Sequence, residues 1–201
     1  MAKQRKTKKL PLRPLVLIYT DGHTELNYFR LKKSSLTGRK NIKIETRIAN
    51  IKSGKKFVDY AKKHISSNYE RLNGGDRVYC VFDMDTANDE DIRRAISSMP
   101  RHMDLIISNP DFEFWFLLHY QYYQGRLGNR EPIRKLREHE RNYEKPQVKE
   151  IYDSLKDREE NALKNAERLR RYHKSNGSDL HSTSTNPYTN VDEIISFINS
   201  F

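Results

Sequence analysis

Asp83 and Asp85 stand one residue apart at the end of an apolar run, in the stretch VYCVFDMDTAND over residues 78–89. One polar residue is enough to stop a strand, so two carboxylates at this spacing raise a second reading, a clamp for a cation. Residues i and i+2 of a strand point to the same side, which would let both face one ion at the end of a strand over 77–82. A second acidic pair, Asp21 and Glu25, follows another apolar run, LVLIYT (15–20). Glu25 then falls about one helical turn beyond Asp21. Either pair alone is also what a helix cap or a solvated strand end looks like. At equivalent ends of neighbouring strands the two pairs would form the hard-oxygen environment that Mg²⁺ or Mn²⁺ requires. Concentrated carboxylates repel one another unless a cation compensates.

The elements that must position these acids follow from the hydrophobic pattern. The apolar run 15–20 stops at Asp21-Gly22, and TELNYFRLKKSSL (24–36) reads as a helix directly after it. NIKIETRI (41–48) alternates as a strand, 55–72 has helical spacing through Phe57, Ala61 and Ile65, and Asn73-Gly74-Gly75-Asp76 is a turn. RVYCVF (77–82), a short helix over 89–99 and DLIISN (104–109) complete the alternation, closed by Pro110. Strands alternating with helices predict an α/β fold with a mainly parallel sheet flanked by helices. In such sheets ligands gather at the carboxyl ends of the strands.

After Pro110 the character changes. DFEFWFLLHYQYY (111–123) reads as an aromatic helix, followed by helical stretches over 132–140, 146–157 and 159–174. The last puts Ala162, Ala166 and Leu169 on one side and leaves Lys164, Arg168, Arg170, Arg171 and Lys174 for solvent or a polyanion. A polar loop over 175–190 leads into VDEIISFI, whose Val191, Ile194, Ile195 and Ile198 share one face. The expected organisation is a basic tail over 1–14 and a single domain over 15–201. That domain divides into an α/β core (15–125) and a helical C-terminal part (126–201) packed on the sheet.

The 201 residues suffice for one domain with a real core. A formal charge of +11 points to a polyanionic partner, because Lys and Arg gain affinity by displacing counterions from phosphates. More than half of that charge lies in the tail, on Lys3, Arg5, Lys6, Lys8, Lys9 and Arg13, which is either a solvated arm or a nucleic-acid arm and is too polar for a signal peptide's apolar segment. No apolar run approaches the roughly 18 residues of a membrane span. The single Cys80 cannot form an internal disulfide and reads as a buried core thiol, so a cytoplasmic setting is expected.

Several of these residues combine into a longer pattern. Asp-Gly-X-Thr-Glu at 21–25 with Asn27-Tyr28-Phe29, Asp-X-Asp at 83–85, Ser108-Asn109-Pro110 with Phe112-Glu113-X-Trp115 and Leu117-Leu118-His119, and Asn186-Pro187-X-Thr189-X-Val191 together resemble the RloB-like family. The resemblance runs from residue 15 to nearly the end. It implies a Toprim-like fold, in which an acidic residue after the first strand and an Asp-X-Asp after the third bind Mg²⁺ for phosphodiester chemistry. It implies a metal-dependent nuclease acting on RNA, tRNA included, or on DNA, in phage defence by abortive infection and beside a partner ATPase. Carried onto this chain, Asp83 and Asp85 become metal ligands, Asp21 a further ligand or general base, and Glu25 or Glu113 helpers. Lys145 fits a Tyr-X-Lys feature and would contact a phosphate, although a solvated lysine before Pro146 fits equally. The family usually has Glu-Gly where this chain has Asp21-Gly22, so the charge is kept and the reach is shortened by one methylene.

Glu113 sits among Phe112, Trp115, Phe116 and Leu118, where a carboxylate must be paired, capped or bound to metal. His119 reads as a core or helix-end histidine, and His23 falls in the variable slot of the pattern. The Ser/Thr cluster over 182–189 is either a phosphate-facing donor set or a plain loop in which Thr189 or Asn190 caps the last helix. Asp83-Met84-Asp85-Thr86 superficially matches the nucleophile loop of haloacid-dehalogenase-type phosphatases, but Ala87 stands where that loop wants Thr or Val. The alternative to an enzyme is a non-catalytic nucleic-acid-binding or sensor subunit that keeps the acidic pocket. Homo-oligomerisation stays open, as does the choice between one ion and two.

Overall fold

The computed structural model describes residues 13–36, 38 and 41–201. Residues 1–12, which hold most of the expected basic tail, lie outside the described residues. The apolar runs become β1 (Leu15–Thr20), β3 (Arg77–Asp83) and β4 (Met103–Asn109), and the alternating run becomes β2 (Lys43–Ile48). All four are parallel, in the order β2-β1-β3-β4, and a two-residue β5 (Tyr188–Thr189) adds antiparallel to β4. The difference in pattern has a cause: β1 and β3 are central and covered on both faces, whereas β2 is an edge.

Alternate residues of β1 feed two cores. Val16 and Ile18 face α1 (His23–Leu36) and join Tyr28 and Phe29, while Leu17 and Tyr19 face α2 (Gly54–Asn68) and α3 (Asp89–Ser97), joining Phe57, Val58, Ala61 and Ile92. The N-terminus of α2 is closed by Ser53 and by Asp91, whose carboxylate accepts from the backbone N–H of Gly54 at 2.6 Å and Lys55 at 3.3 Å. Helix α2 ends at Asn68, earlier than its periodicity suggests. The Tyr69 N–H bonds back to Ile65 O, and the Tyr69 hydroxyl donates to Glu45 at 2.6 Å, drawing the chain toward β2.

The C-terminal part contains α4 (Glu113–Leu118), α5 (Glu131–Leu136), α6 (Tyr152–Asp157), α7 (Glu159–Ser175) and α8 (Val191–Asn199). Three expected helices are shorter than read, the one over 132–140 ending at Leu136. The aromatic helix covers only the fully buried α4, where Asn165 of α7 donates to the Leu118 carbonyl at 2.8 Å, and residues 146–151 are irregular ahead of α6. Ala162, Ala166 and Leu169 of α7 and Val191, Ile194, Ile195 and Ile198 of α8 are buried, as their spacing predicts. This part is also not purely helical, because its polar loop returns to the sheet as β5. Asn190 continues the edge with its side chain, accepting from Ile107 N at 2.8 Å and donating to Leu105 O at 3.3 Å. It stitches the sheet and makes no side-chain cap to α8. The result is an α/β fold with a mostly parallel sheet, consistent with a Toprim-like arrangement. No helix among the described residues is long and apolar enough to cross a membrane.

Candidate metal centre

Parallel strands deliver their carboxyl ends to one edge of the sheet, and the acids follow. Asp21 is the first residue after β1, Asp83 the last of β3, and Asp111 lies just beyond β4, while Glu25 occupies the first turn of α1. Asp21, Glu25 and Asp83 are all buried and offer carboxylate oxygens that lie within 4.8 Å of one another. The backbone draws these ends together: Asp21 N donates to Val81 O at 3.3 Å and Met84 N to Ser108 O at 2.9 Å.

Gly22 makes the turn from β1 into α1 possible for a steric reason. A Cβ at this position would lie 2.6 Å from Glu25 Oε2. Absence of a side chain is what lets the Glu25 carboxylate fold back beside Asp21. Asp21 reaches the cluster although its side chain is one methylene shorter than a glutamate's.

Three of the oxygens at this centre, Asp21 Oδ1, Glu25 Oε2 and Asp83 Oδ1, are buried without a hydrogen-bond donor. Their electrostatics reflect this. Burial, reinforced by Glu25, Asp21, Asp111 and Glu113, holds the Asp83 carboxyl well above the usual carboxylate range. Burial and then the neighbouring Asp21 charge push Glu25 up to about 8. Asp21 is raised by burial although Lys52 opposes the shift, its Nζ lying 3.0 Å from Asp21 Oδ2. Asp111 is pushed up to about 7 by burial and by Glu113. Anionic oxygens this close, desolvated and unpaired, are stable only with protons or a cation between them. The donor set, all carboxylate oxygen, suits a hard divalent ion such as Mg²⁺ or Mn²⁺.

Glu113 behaves differently. It opens α4 fully buried, accepting from the Tyr143 hydroxyl at 2.9 Å and the Thr24 hydroxyl at 3.5 Å, while Lys145 Nζ lies 2.6 Å from its other oxygen and 3.6 Å from Asp111. Lys145 is half-exposed, and although burial opposes its charge, Glu113 and Asp111 more than offset that and raise its pKa. Arg137 donates to the Tyr143 carbonyl at 2.9 Å and Asn27 to the Pro146 carbonyl at 2.9 Å, so the Lys145 segment is pinned on both sides. Glu113 is therefore already neutralised and forms a wall of the pocket next to the three-carboxylate cluster.

Asp85 is exposed and stands outside that cluster. Strand β3 ends at Asp83, and a turn closed by Ala87 N donating to Met84 O at 3.3 Å follows, so the two-residue strand alternation does not extend to Asp85. Its charge still raises Asp21 and Asp111, which places it at the rim. On α7, Arg170 is not left for solvent but is half-buried against Asp192, whereas Lys164, Arg168, Arg171 and Lys174 are exposed as expected. Arg168 sits 3.9 Å above the Tyr122 ring, Arg171 is 3.6 Å from Glu167, and Lys174 is exposed. Among the described residues none of the three is bonded to the pocket carboxylates. His119 is a core histidine whose Nδ1 lies 2.9 Å from Trp115 O, and burial pushes it down to about 4. Cys80 is buried, and burial pushes its thiol up to about 12. His23 is exposed. The Ser/Thr loop is tied to the same edge of the sheet, with Thr183 N donating to Asp89 at 2.7 Å and Ser182 Oγ at 2.9 Å.

Sequence reasoning did not single out Lys52 or Asp111. The same rule that found Asp21 applies to both, since each follows the carboxyl end of a parallel strand.

No match was found among curated proteins or among solved structures. The family described as RloB-like protein matches residues 16–198, a span that contains the carboxyl end of each parallel strand and every carboxylate of this centre. With nearly the whole described fold inside that match, the chain belongs to the RloB-like family.

Proposed function

We propose that the protein is a Mg²⁺-dependent nuclease that hydrolyses phosphodiester bonds in RNA or DNA. One observation carries the reading: Asp21, Glu25 and Asp83 converge at the carboxyl edge of the sheet, each with a buried oxygen that no donor satisfies. A pocket of this kind costs stability unless a cation fills it. In a chain of charge +11 its use is to present that cation to a polyanion.

Asp21, Glu25 and Asp83 would hold the ion, which when bound offsets the negative charge that develops on a phosphoryl group in the transition state. Lys52 and Lys145 flank the carboxylates, half-exposed, and would meet the phosphate backbone. Either can exchange its carboxylate for a phosphate oxygen once the ion has taken over part of the pocket's charge. Asp85 at the rim and Asp111 deepen the negative field. Tyr143 and Thr24 orient Glu113, which in turn fixes Lys145. Membership of the RloB-like family supports a role in phage defence, by abortive infection and beside a partner ATPase.

Cleavage of labelled single-stranded DNA, double-stranded DNA and total tRNA by the wild type and by Asp83→Asn tests this, in Mg²⁺, Mn²⁺ or EDTA and with the partner ATPase supplied. Metal-dependent cutting by the wild type alone is expected and names the substrate class. Tight binding of nucleic acid with no cutting under any of these conditions would replace the nuclease with a non-catalytic subunit.

A further inference from the structure

The two edges of the sheet are unlike. At one, β5 is two residues long and runs at once into α8. At the other, β2 is six residues long, contains neither Pro nor Gly, and has no strand on its outer side among the described residues. A long open edge pairs with another strand unless something blunts it.

Backbone parity shows which groups are open. Lys43 N donates to Pro14 O at 2.9 Å and Ala49 N to Thr20 O at 2.8 Å, so the odd-numbered residues of β2 bond inward to β1. Ile44, Thr46 and Ile48 therefore turn their N–H and C=O groups outward. The side chains alternate too. Glu45 and Arg47 lie opposite Leu17 and Tyr19 on the α2 face, and Ile44 is buried on the α1 face.

We infer that β2 pairs antiparallel with β2 of a second copy of this chain, across a two-fold axis at Thr46, joining the two sheets into one. The register is selected by charge. Centred on Thr46, outward-bonding residues meet outward-bonding residues: Thr46 faces Thr46, and Ile44 faces Ile48 of the second copy. In the same register Glu45 faces Arg47 of the second copy, and the symmetry supplies this opposite-charge pair twice. Centred on Glu45, the strand would oppose Glu45 to Glu45 and Lys43 to Arg47. Centred on Arg47, it would oppose two arginines. Centred on Ile44, the strand would also oppose Lys43 to Glu45, but it would lay Thr46 to Ile48 against residues that precede β2; the Thr46 register satisfies the hydrogen-bond parity and the charges while pairing nearly the whole strand with itself. The two-fold closes both long edges and leaves no open strand for further growth. This inference is independent of the nuclease reading.

Sedimentation equilibrium of the full chain over about 1 to 200 µM, the range in which interfaces of modest area dissociate, reads the association. A monomer–dimer equilibrium is expected for the wild type. Arg47→Glu should weaken it about tenfold or more by placing like charges opposite each other twice, and Glu45→Lys combined with Arg47→Glu should recover most of the loss. A monomer throughout the range, or association indifferent to Arg47→Glu, overturns the proposal. A second measurement reads the register in case charge reversal disturbs the fold. Under mild oxidation an equal mixture of Glu45→Cys and Arg47→Cys proteins should give a covalent heterodimer, because these positions face each other. Each alone should give little, and Cys80 is buried and does not compete. Cross-linking of either single variant as efficient as that of the mixture would also overturn it.

Discussion

Two buried ionic clusters in this molecule are built on opposite plans. Asp192 at the start of α8 has both carboxylate oxygens 2.6 Å from Arg170 of α7, and it is 5% exposed. Asp83 is 7% exposed, has one buried oxygen with no donor, and is surrounded by Asp21, Glu25, Asp111 and Glu113. In the first, desolvation is offset by a partner inside the fold. In the second, no partner inside the fold offsets the desolvation of that oxygen. Asp76 and Asp91 follow the first plan with backbone N–H groups as partners, Asp76 accepting from Leu15 N and Asn73 N at 2.7 Å each. Carboxylates that serve the fold are closed by it, and those at the carboxyl edge of the sheet are left open.

Neutralising one member of each cluster separates the two plans by the largest effect. Asp83→Asn should remove at least about a hundredfold of metal-dependent cleavage while leaving the melting temperature in EDTA unchanged or higher, since it relieves repulsion among buried anions. Asp192→Asn should do the reverse. Leaving the half-buried Arg170 with only the more distant Glu193, at 3.5 Å, as counter-charge costs up to about 3 kcal/mol, and the folded fraction should retain its cleavage rate. Cleavage by Asp83→Asn at the wild-type rate, or an Asp192→Asn protein as stable as the wild type, would erase the distinction.

Protons and cations should compete for the open cluster. Glu25 at about 8 and Asp111 at about 7 hold protons in the folded state that they have lost in the unfolded chain. Where the folded state binds more protons, stability falls as pH rises. The metal-free protein should therefore lose stability from about pH 4.5, near the unfolded glutamate value, through about pH 8, where Glu25 titrates. Mg²⁺ displaces those protons, so the rise in melting temperature on adding it should be larger at high pH than at low. A Mg²⁺ effect of equal size across this window would show that the ion does not bind these carboxylates.

Much of this site was legible in the sequence because parallel strands buried on both faces announce themselves as apolar runs, and the residue after each run lies at the active edge. That reasoning located Asp21, Glu25 and Asp83. It expected Asp85 beside Asp83, but β3 runs one residue past its expected end and the turn after Asp83 breaks the two-residue alternation, which leaves Asp85 exposed at the rim. It overlooked Asp111, hidden behind Pro110, and Lys52, which looks like any surface lysine. Strand β5 escaped because two residues carry no periodicity and part of its work is done by the Asn190 side chain. The ends of α2 and α4 were set by tertiary bonds from Tyr69 and Asn165, which local sequence does not contain.

A smaller effect separates the shape of the open cluster from its charge. Gly22→Ala leaves every ionisable group in place but puts a methyl carbon 2.6 Å from Glu25 Oε2. The carboxylate must swing away, and misplacement on the order of an ångström costs up to about a hundredfold in rate. A tenfold or greater increase in the Mg²⁺ concentration needed for half-maximal cleavage is expected. An unchanged Mg²⁺ requirement would mean that Glu25 is not a ligand and that Asp21 and Asp83 suffice.

Lys52 tests the outermost layer of the same contrast. Its side chain is 57% exposed although it lies 3.0 Å from the buried Asp21, so solvent screens much of the pair, and Lys52→Ala should change stability by less than about 0.5 kcal/mol. If the lysine serves only to hold Asp21, its loss leaves a more negative pocket that binds Mg²⁺ at least as well, and cleavage at saturating metal is unchanged. If it leaves Asp21 for the phosphate when metal and substrate arrive, its removal weakens nucleic-acid binding and flattens the salt dependence by about one phosphate contact. Measuring substrate affinity against salt concentration at saturating Mg²⁺ therefore tells whether this ion pair belongs to the closed plan, as Arg170 and Asp192 do, or is an opening in the wall of the active edge. The exposure of Lys52, set against the near-complete burial of Asp192, favours the opening.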